Sequence, residues 1–369
     1  MAHEPVTPVL VTPVPVAAAA APPRIFPLLR RTWLAGTVLL SLAAVAGAVA
    51  LAPPAGASPG RALASLVFLG TSVHVASTGW FYTLPQVRGH ARTHRGRYVL
   101  APAALVAGTA AAALTVPPEH LSWVLVPFLA WQFFHFQKQN LGLAALAAAA
   151  LRAGPLSRLE RRTIAATGWA GTVGLLAHPH LLKLRVDPHL GFAYPLALAA
   201  FAAAAAVGVA ALARRERRPA GFVAVHLVSL LFFAPAFAFG NPFAAVAGLT
   251  VAHGYQYLLI MGMVSGAPRR GRPGLTGLTV MLGIGVLGGL ALAYASHLHD
   301  SPAVWERGLY GAYLGAVMTH FVVDAGLWRL RDEFPRRFLT ASVPYLLKPW
   351  VSQRPAAATT PAAGLPAAG

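Results

Sequence analysis

The chain of 369 residues is 57% hydrophobic and 11% charged, with a mean hydropathy of +0.61, which lies outside the range of water-soluble domains. Its 29 Lys and Arg against 10 Asp and Glu give a formal charge of +19. The basic residues stand in short clusters between apolar runs and do not gather on one domain with aromatic partners, so the pattern argues against a nucleic-acid binder. With no cysteine, disulfides, thiolate metal sites, iron–sulfur clusters and cysteine nucleophiles are excluded.

Residues 1–31 read as a cytoplasmic tail, in which Pro5, Pro8, Pro13, Pro15, Pro22 and Pro23 come too often for a helix. Arg30 and Arg31 follow the apolar stretch instead of preceding it, so this is not a signal-peptide pattern. From residue 32 to 330 the sequence reads as one all-α transmembrane bundle. Apolar stretches able to cross roughly 30 Å of hydrocarbon fall near 33–52, 62–84, 98–116, 121–145, 162–177, 190–213, 220–239, 242–264, 275–295 and 308–328. Residues 331–369 read as a second cytoplasmic tail.

Ten spans with a cytoplasmic start assign 24 of the basic residues to one side: those from Arg24 to Arg31, Arg88 to Arg97, Arg152 to Arg162, Arg214 to Arg218, Arg269 to Arg272 and Arg329 to Arg354. Four fall on the other side, namely Arg61, Lys183, Arg185 and Arg307, with Lys138 inside a span. This asymmetry follows the positive-inside rule and places both termini in the cytoplasm. The Ala, Gly, Arg and Pro richness is associated with high-GC bacterial genomes, and the expected location is the bacterial inner membrane.

Ionisable groups inside a membrane are costly unless they face the bundle interior with partners. Five histidines fall within the expected spans: His74, His135, His226, His253 and His320. All but His226 lie on spans running from the outer face inward, each about 11 to 14 residues past its start, which is a common depth at helical rise. Polar residues one turn away accompany them: Thr71 and Thr78; Gln132, Lys138 and Gln139; Thr250, Gln256 and Tyr257; and Asp324.

Neutral imidazole suits iron, copper and zinc, so His74, His135, His253 and His320 are the expected metal ligands. Asp324 is expected to orient His320 or to supply another ligand. Gln132, Lys138, Gln139, Gln256 and Tyr257 are expected to line a cavity, with Lys138 stabilising developing negative charge. His226, on a span of opposite direction, suits packing or interhelical hydrogen bonding. Two other readings stay open: a proton-coupled transporter with Lys138 and Asp324 as an ion pair, and histidines serving only as interhelical glue.

The loop histidines His90, His94, His178, His180, His189, His297 and His299 read as solvated, although pairs such as His178 with His180 suit weak metal binding. There is no HExxH helix, P-loop or G-x-S-x-G elbow. Gly283, Gly285, Gly288 and Gly289 suit close helix packing.

Four intramembrane histidines on separate spans, within Phe134-His135-Phe136-Gln137-Lys138-Gln139-Asn140, Ala252-His253-Gly254-Tyr255-Gln256-Tyr257 and His320-Phe321-Val322-Val323-Asp324, resemble the bacterial and archaeal β-carotene dioxygenase family. The resemblance implies that His74, His135, His253 and His320 hold non-haem iron. It also implies a long lipophilic substrate entering from the bilayer and an oxygenase or related oxidoreductase activity. A bis-histidine haem using two of the four is the alternative cofactor.

Overall fold

Proline punctuation sets many of the helix starts, because its missing N–H costs nothing in a first turn and its φ suits the helix. The computed structural model describes residues 23–54, 56–269 and 273–351, and these are all-helical. The helices are α1 (Phe26–Ala50), α2 (Arg61–Thr83), α3 (Pro85–Thr93), α4 (Gly96–Thr115), α5 (Pro118–Ala150), α6 (Arg158–Leu176) and α7 (Ala193–Ala213). They continue as α8 (Ala220–Leu230), α9 (Pro235–Ala238), α10 (Phe243–Ser265), α11 (Gly274–Ser296), α12 (Val304–Leu327), α13 (Glu333–Ser342) and α14 (Pro344–Val351).

Six of them, α1, α2, α4, α7, α10 and α11, are long and apolar enough to cross a membrane. Helices α5 and α12 have the length, at 33 and 24 residues, but carry the polar side chains of the candidate site. The expected span 220–239 is not one continuous helix. It is broken into an 11-residue α8 and a four-residue α9, and Pro235, which has no N–H to donate to the preceding turn, opens the second piece. The segment nevertheless carries the chain from the Arg214–Arg218 loop to Asn241, which donates to the Pro53 carbonyl beyond the far end of α1.

The four histidine-bearing helices, α2, α5, α10 and α12, form the centre, and the others pack around them. Helix α1 lies against α10, α11 against α2, α4 against α12, and the α6–α7 pair against α5. Within the most apolar window, α10 is 61% buried and α4 only 11%, which separates inner from outer helices. The outer faces present Leu39, Leu42, Leu100, Leu196, Leu282 and Leu287 to the surroundings, as lipid contact requires.

Close glycine contacts set these spacings. On α11, Gly285, Gly288 and Gly289 lie against Val73 and Ala76 of α2, so a Cβ at any of them would meet side chain or backbone within about 3 Å. The expectation of packing glycines therefore holds for these three, while Gly283 meets nothing.

The basic loops collect at one end of the bundle. Arg30 donates to the Ala150 carbonyl, Arg215 bonds Glu160 and the carbonyls of Ala153 and Gly154, and Arg269 bonds the Val264 carbonyl and Ser342 Oγ. Two boundaries of the expected tails move. Helix α1 starts at Phe26, inside the segment read as an N-terminal tail. The stretch 333–351 is helical and buries Phe338, Leu339, Val343, Tyr345, Leu346 and Leu347 under the bundle. The rest of both tails, 1–22 and 352–369, lies outside the described residues.

Candidate metal centre

The register of the four central helices builds the site in three layers. His74, His135, His253 and His320 form the middle layer. Three residues earlier on each helix stand Thr71, Gln132, Thr250 and Val317, and these four border one pocket. Four residues later stand Thr78, Gln139, Tyr257 and Asp324, a polar layer on the opposite side. Shared layers at both offsets require that the four helices run in the same sense.

The four imidazoles close a circuit. Ring centroids of His74 and His253 are 5.1 Å apart, His253 and His135 5.0 Å, His135 and His320 5.0 Å, and His320 and His74 5.0 Å, with 6.5 Å across from His253 to His320. All four residues are buried. Ligand atoms of His74, His253 and His320 lie within 4.8 Å of one another, as do those of His135, His320 and Asp324. Phe136 stacks on His253 at 4.1 Å and Phe321 on His135 at 4.5 Å, fixing both ring planes from outside the circuit.

Two local features bring the rings together. Residues Leu69–Val73 form a π turn directly before His74, a device common at functional sites because it frees carbonyls and re-aims the next side chain. Gly70 and Gly254 then let α2 and α10 meet backbone to backbone. A Cβ on Gly254 would overlap the Gly70 carbonyl, and one on Gly70 would strike Val251. Only glycine permits this crossing, which sets His74 beside His253.

A single proton chain orders His320. Tyr257 donates its hydroxyl to Asp324 Oδ1 at 3.0 Å. The Tyr257 hydroxyl lies 2.8 Å from Thr78 Oγ1, and Thr78 Oγ1 lies 2.7 Å from His320 Nδ1. Asp324 Oδ2 stands 3.7 Å from the same Nδ1. With Asp324 ionised and accepting, the order of these contacts would place the proton on Nδ1 and leave the Nε2 lone pair for a ligand role.

The unsatisfied atoms mark the centre. Among the described residues, His320 Nε2, His135 Nε2 and both ring nitrogens of His74 and His253 are buried without a hydrogen-bond partner. The Gly70 and Thr71 carbonyls approach the His74 ring without forming a bond of good geometry. An orphaned polar atom in a dry interior costs about 1–3 kcal/mol, so a cluster of them in one layer calls for a shared partner. A metal ion accepts lone pairs from all four rings; water or a protein donor would satisfy them singly. The donor set, neutral nitrogen with one nearby carboxylate, fits a borderline first-row metal. It fits haem poorly, since rings in mutual edge contact around a circuit leave no slot for a porphyrin plane between any two.

The other expected site residues divide. Tyr257 and Asp324 stand in the proton chain, and Gln132 borders the pocket. Gln139 and Gln256 do not border the pocket beside His74: Gln139 donates to the His253 carbonyl and to Gln256 Oε1, and Gln256 donates to Ser41 of α1. They tie α5, α10 and α1 together. Lys138 is a correction as well. It is exposed on the α6-facing side of α5, its ammonium 5.3 Å from the Phe134 ring, because it lies about 60° to one side of His135 around the helix, towards α6, whereas Gln139 lies about 40° to the other, towards α10. His226 is fully buried on α8, with Phe222 beside it at 5.5 Å and both nitrogens unbonded, and it does not join the circuit. Sequence reading missed Ser41, Gly70, Gly254 and Tyr313, the last a pocket residue. Only Gly254, adjoining His253, offered a signal.

The pocket on the Thr71 side is small, about 40 Å³, and bordered by Thr71, Ser72, Gln132, Phe136, Thr250 and Tyr313 among others, with His74 at its base. The opposite side is closed by Trp80, Phe81, Tyr257, Trp328 and Phe338, with the Arg269 guanidinium 5.0 Å over Trp80. The histidine layer is therefore approached from one side.

Fold and site together define an all-helical protein of membrane type whose buried histidines could hold a metal ion. No family model matches the chain, and neither a curated protein nor a solved structure shows similarity to it.

Proposed function

We propose that His74, His135, His253 and His320 hold a transition-metal ion, iron before copper or zinc, and that the protein is a membrane oxidoreductase acting on a lipophilic molecule. The observation that carries the reading is the closed circuit of four buried imidazoles whose inward nitrogens lack partners. Nitrogen-rich ligation favours iron, copper or zinc over magnesium or calcium. The likeness of the ligand arrangement to the β-carotene dioxygenase family favours iron and an oxygenase reaction. When bound, such an ion supplies Lewis acidity and a redox couple.

The chain's own residues perform the remaining tasks. Asp324, Tyr257 and Thr78 keep the Nδ1 proton on His320 and can relay it through O–H groups already in line. Phe136 and Phe321 hold two rings rigid, and the Trp80–Phe338 plug keeps water from the basic end. The pocket beside His74 admits a small co-reactant, with Gln132 and Tyr313 as polar groups on its wall. The ten-span topology with both termini in the cytoplasm belongs to this reading, supported by the gathering of basic loops at one end.

The proton-coupled carrier loses its intramembrane ion pair, because Lys138 faces away from Asp324. The test is iron supplementation followed by an absorption spectrum, and oxygen uptake with polyene or isoprenoid substrates. Stoichiometric non-haem iron with substrate-dependent oxygen uptake supports the reading. Iron-free protein after supplementation rejects it, and a Soret band would turn it towards haem.

A further inference from the structure

Away from the buried circuit, a second pair of histidines is set in chelating geometry. His178 and His180 flank Pro179 in the loop after α6. Their Nδ1 atoms face each other at 3.3 Å, with ring centroids 4.8 Å apart and planes nearly perpendicular at 86°. Two nitrogens bound to one tetrahedral ion at about 2.0–2.1 Å stand roughly 3.3 to 3.4 Å apart. The pair thus already has the spacing of adjacent ligands. As a hydrogen bond the same contact is long.

The loop holds this geometry without an ion. Leu181 N–H donates to the His178 carbonyl, Lys183 N–H to that of His180, and Leu184 N–H to that of Pro179, closing a short 3₁₀ turn. Lys183 adopts the left-handed conformation at φ 53° and carries its ammonium to the Phe243 ring, 4.0 Å from the centroid, which removes a competing cation from the pair. The Tyr194 ring stands edge-on to His178 at 4.2 Å. His180 is exposed, which leaves room for water to complete a coordination sphere.

The pair's place in the fold is equally specific. Helix α6 follows α5 through a short turn and packs back along it, so its C-terminal loop lies at the end where α5 begins. Phe243, under Lys183, opens α10. Both contacts put the pair at the end of the bundle from which the pocket side of the histidine layer is approached.

We propose that His178 and His180 form a surface chelate for a divalent first-row transition metal, Fe²⁺ and Zn²⁺ included, and that this chelate is the first stop of an ion bound for the buried circuit. The chelation stands on the loop geometry alone; the delivery role rests on the four-histidine reading.

The experiment titrates tag-free, metal-stripped protein in detergent with Zn²⁺ by calorimetry, comparing wild type, H178A/H180A and His253→Ala. A second arm follows the rate of Fe²⁺ uptake into wild type and H178A/H180A. Wild type shows a tight site and a weaker one. H178A/H180A loses the weaker site, and H178A alone weakens it roughly 100-fold, the advantage of two linked ligands over one. His253→Ala keeps the weaker site. Iron uptake slows in H178A/H180A with an unchanged end point. An unaltered isotherm in H178A/H180A overturns the chelate and leaves the buried centre standing. A weak site that survives while the tight one is missing from wild type rejects the buried centre and keeps the chelate. Equal uptake rates remove the delivery role. The loop is exposed, so helicity and elution volume should match wild type in every variant, and a chelate lost only together with helicity would count against the proposal.

Discussion

Gly254 of α10 and Gly70 of α2 meet with no side chain between them, so that the space a Gly254 Cβ would occupy is already filled by the Gly70 carbonyl. This contact sets the depth at which His74 and His253 face each other. Gly254→Ala is therefore expected to destabilise the fold by about 1–3 kcal/mol, the usual cost of overpacking, and to lower metal content more than its loss of stability explains. Gly283→Ala, on an open helix face, should change neither. Thermal melting and metal analysis of both variants check this.

Thr78 stands between His320 and Tyr257 and carries a hydrogen bond to each. Thr78→Val keeps the shape and removes the hydroxyl, so His320 Nδ1 loses its hydrogen-bond partner. Metal affinity should fall about 10- to 100-fold, as for other ligand-orienting partners, with helicity unchanged. Thr78→Ser should recover most of it. Competition against a chelator of known affinity measures the difference, and equal affinities for the valine variant and wild type would show that the chain does not orient His320.

Lys138 gives the opposite expectation. Exposed and packed along Phe134, it contributes nothing to the circuit, and Lys138→Met should leave metal content and melting temperature within error of wild type.

The pair Glu160 and Arg215 yields a pH prediction. Burial alone would raise the Glu160 carboxyl, but the Ser157 N–H and the Arg215 guanidinium, 2.7 Å away, outweigh it and hold the group below its ordinary range. A lowered folded value means that the pair contributes stability above about pH 4.3, the unfolded carboxylate value. The contribution disappears as the pH falls through the folded value. Arg215→Met leaves a buried carboxylate unpaired, at a cost of about 3–5 kcal/mol near neutrality. Its carboxyl should then titrate above the ordinary range, so this variant is expected to gain stability on acidification where wild type loses it. Melting temperatures between pH 4 and 8 separate the two slopes.

Much of the site was legible because depth in a membrane helix is a matter of counting residues. His74, His135, His253 and His320 lie 11 to 14 residues from their span starts, and the rings meet. The face of a helix is harder to read. Gln139 and Lys138 are neighbours in sequence, yet at 100° per residue one meets α10 and the other the groove beside α6. Which side is inward depends on the partner helices, and α5 has several. The π turn before His74 has no sequence mark, since it arises from how α2 packs. The Arg-rich segment after residue 330 looked like a tail because of its charge, although Pro335, Phe338, Leu339 and Ser342 already stood at the three- and four-residue spacing of a buried helical face.

The central claim is that the four imidazoles share one ion. It is tested most directly by the metal content of tag-free, detergent-purified protein, wild type against His253→Ala, each shown to be folded by its melting curve. One tightly held transition-metal ion per chain in wild type, lost in the variant, is the expected result. Metal-free wild type after growth with iron, copper and zinc supplied, or equal metal content in the folded variant, would contradict it.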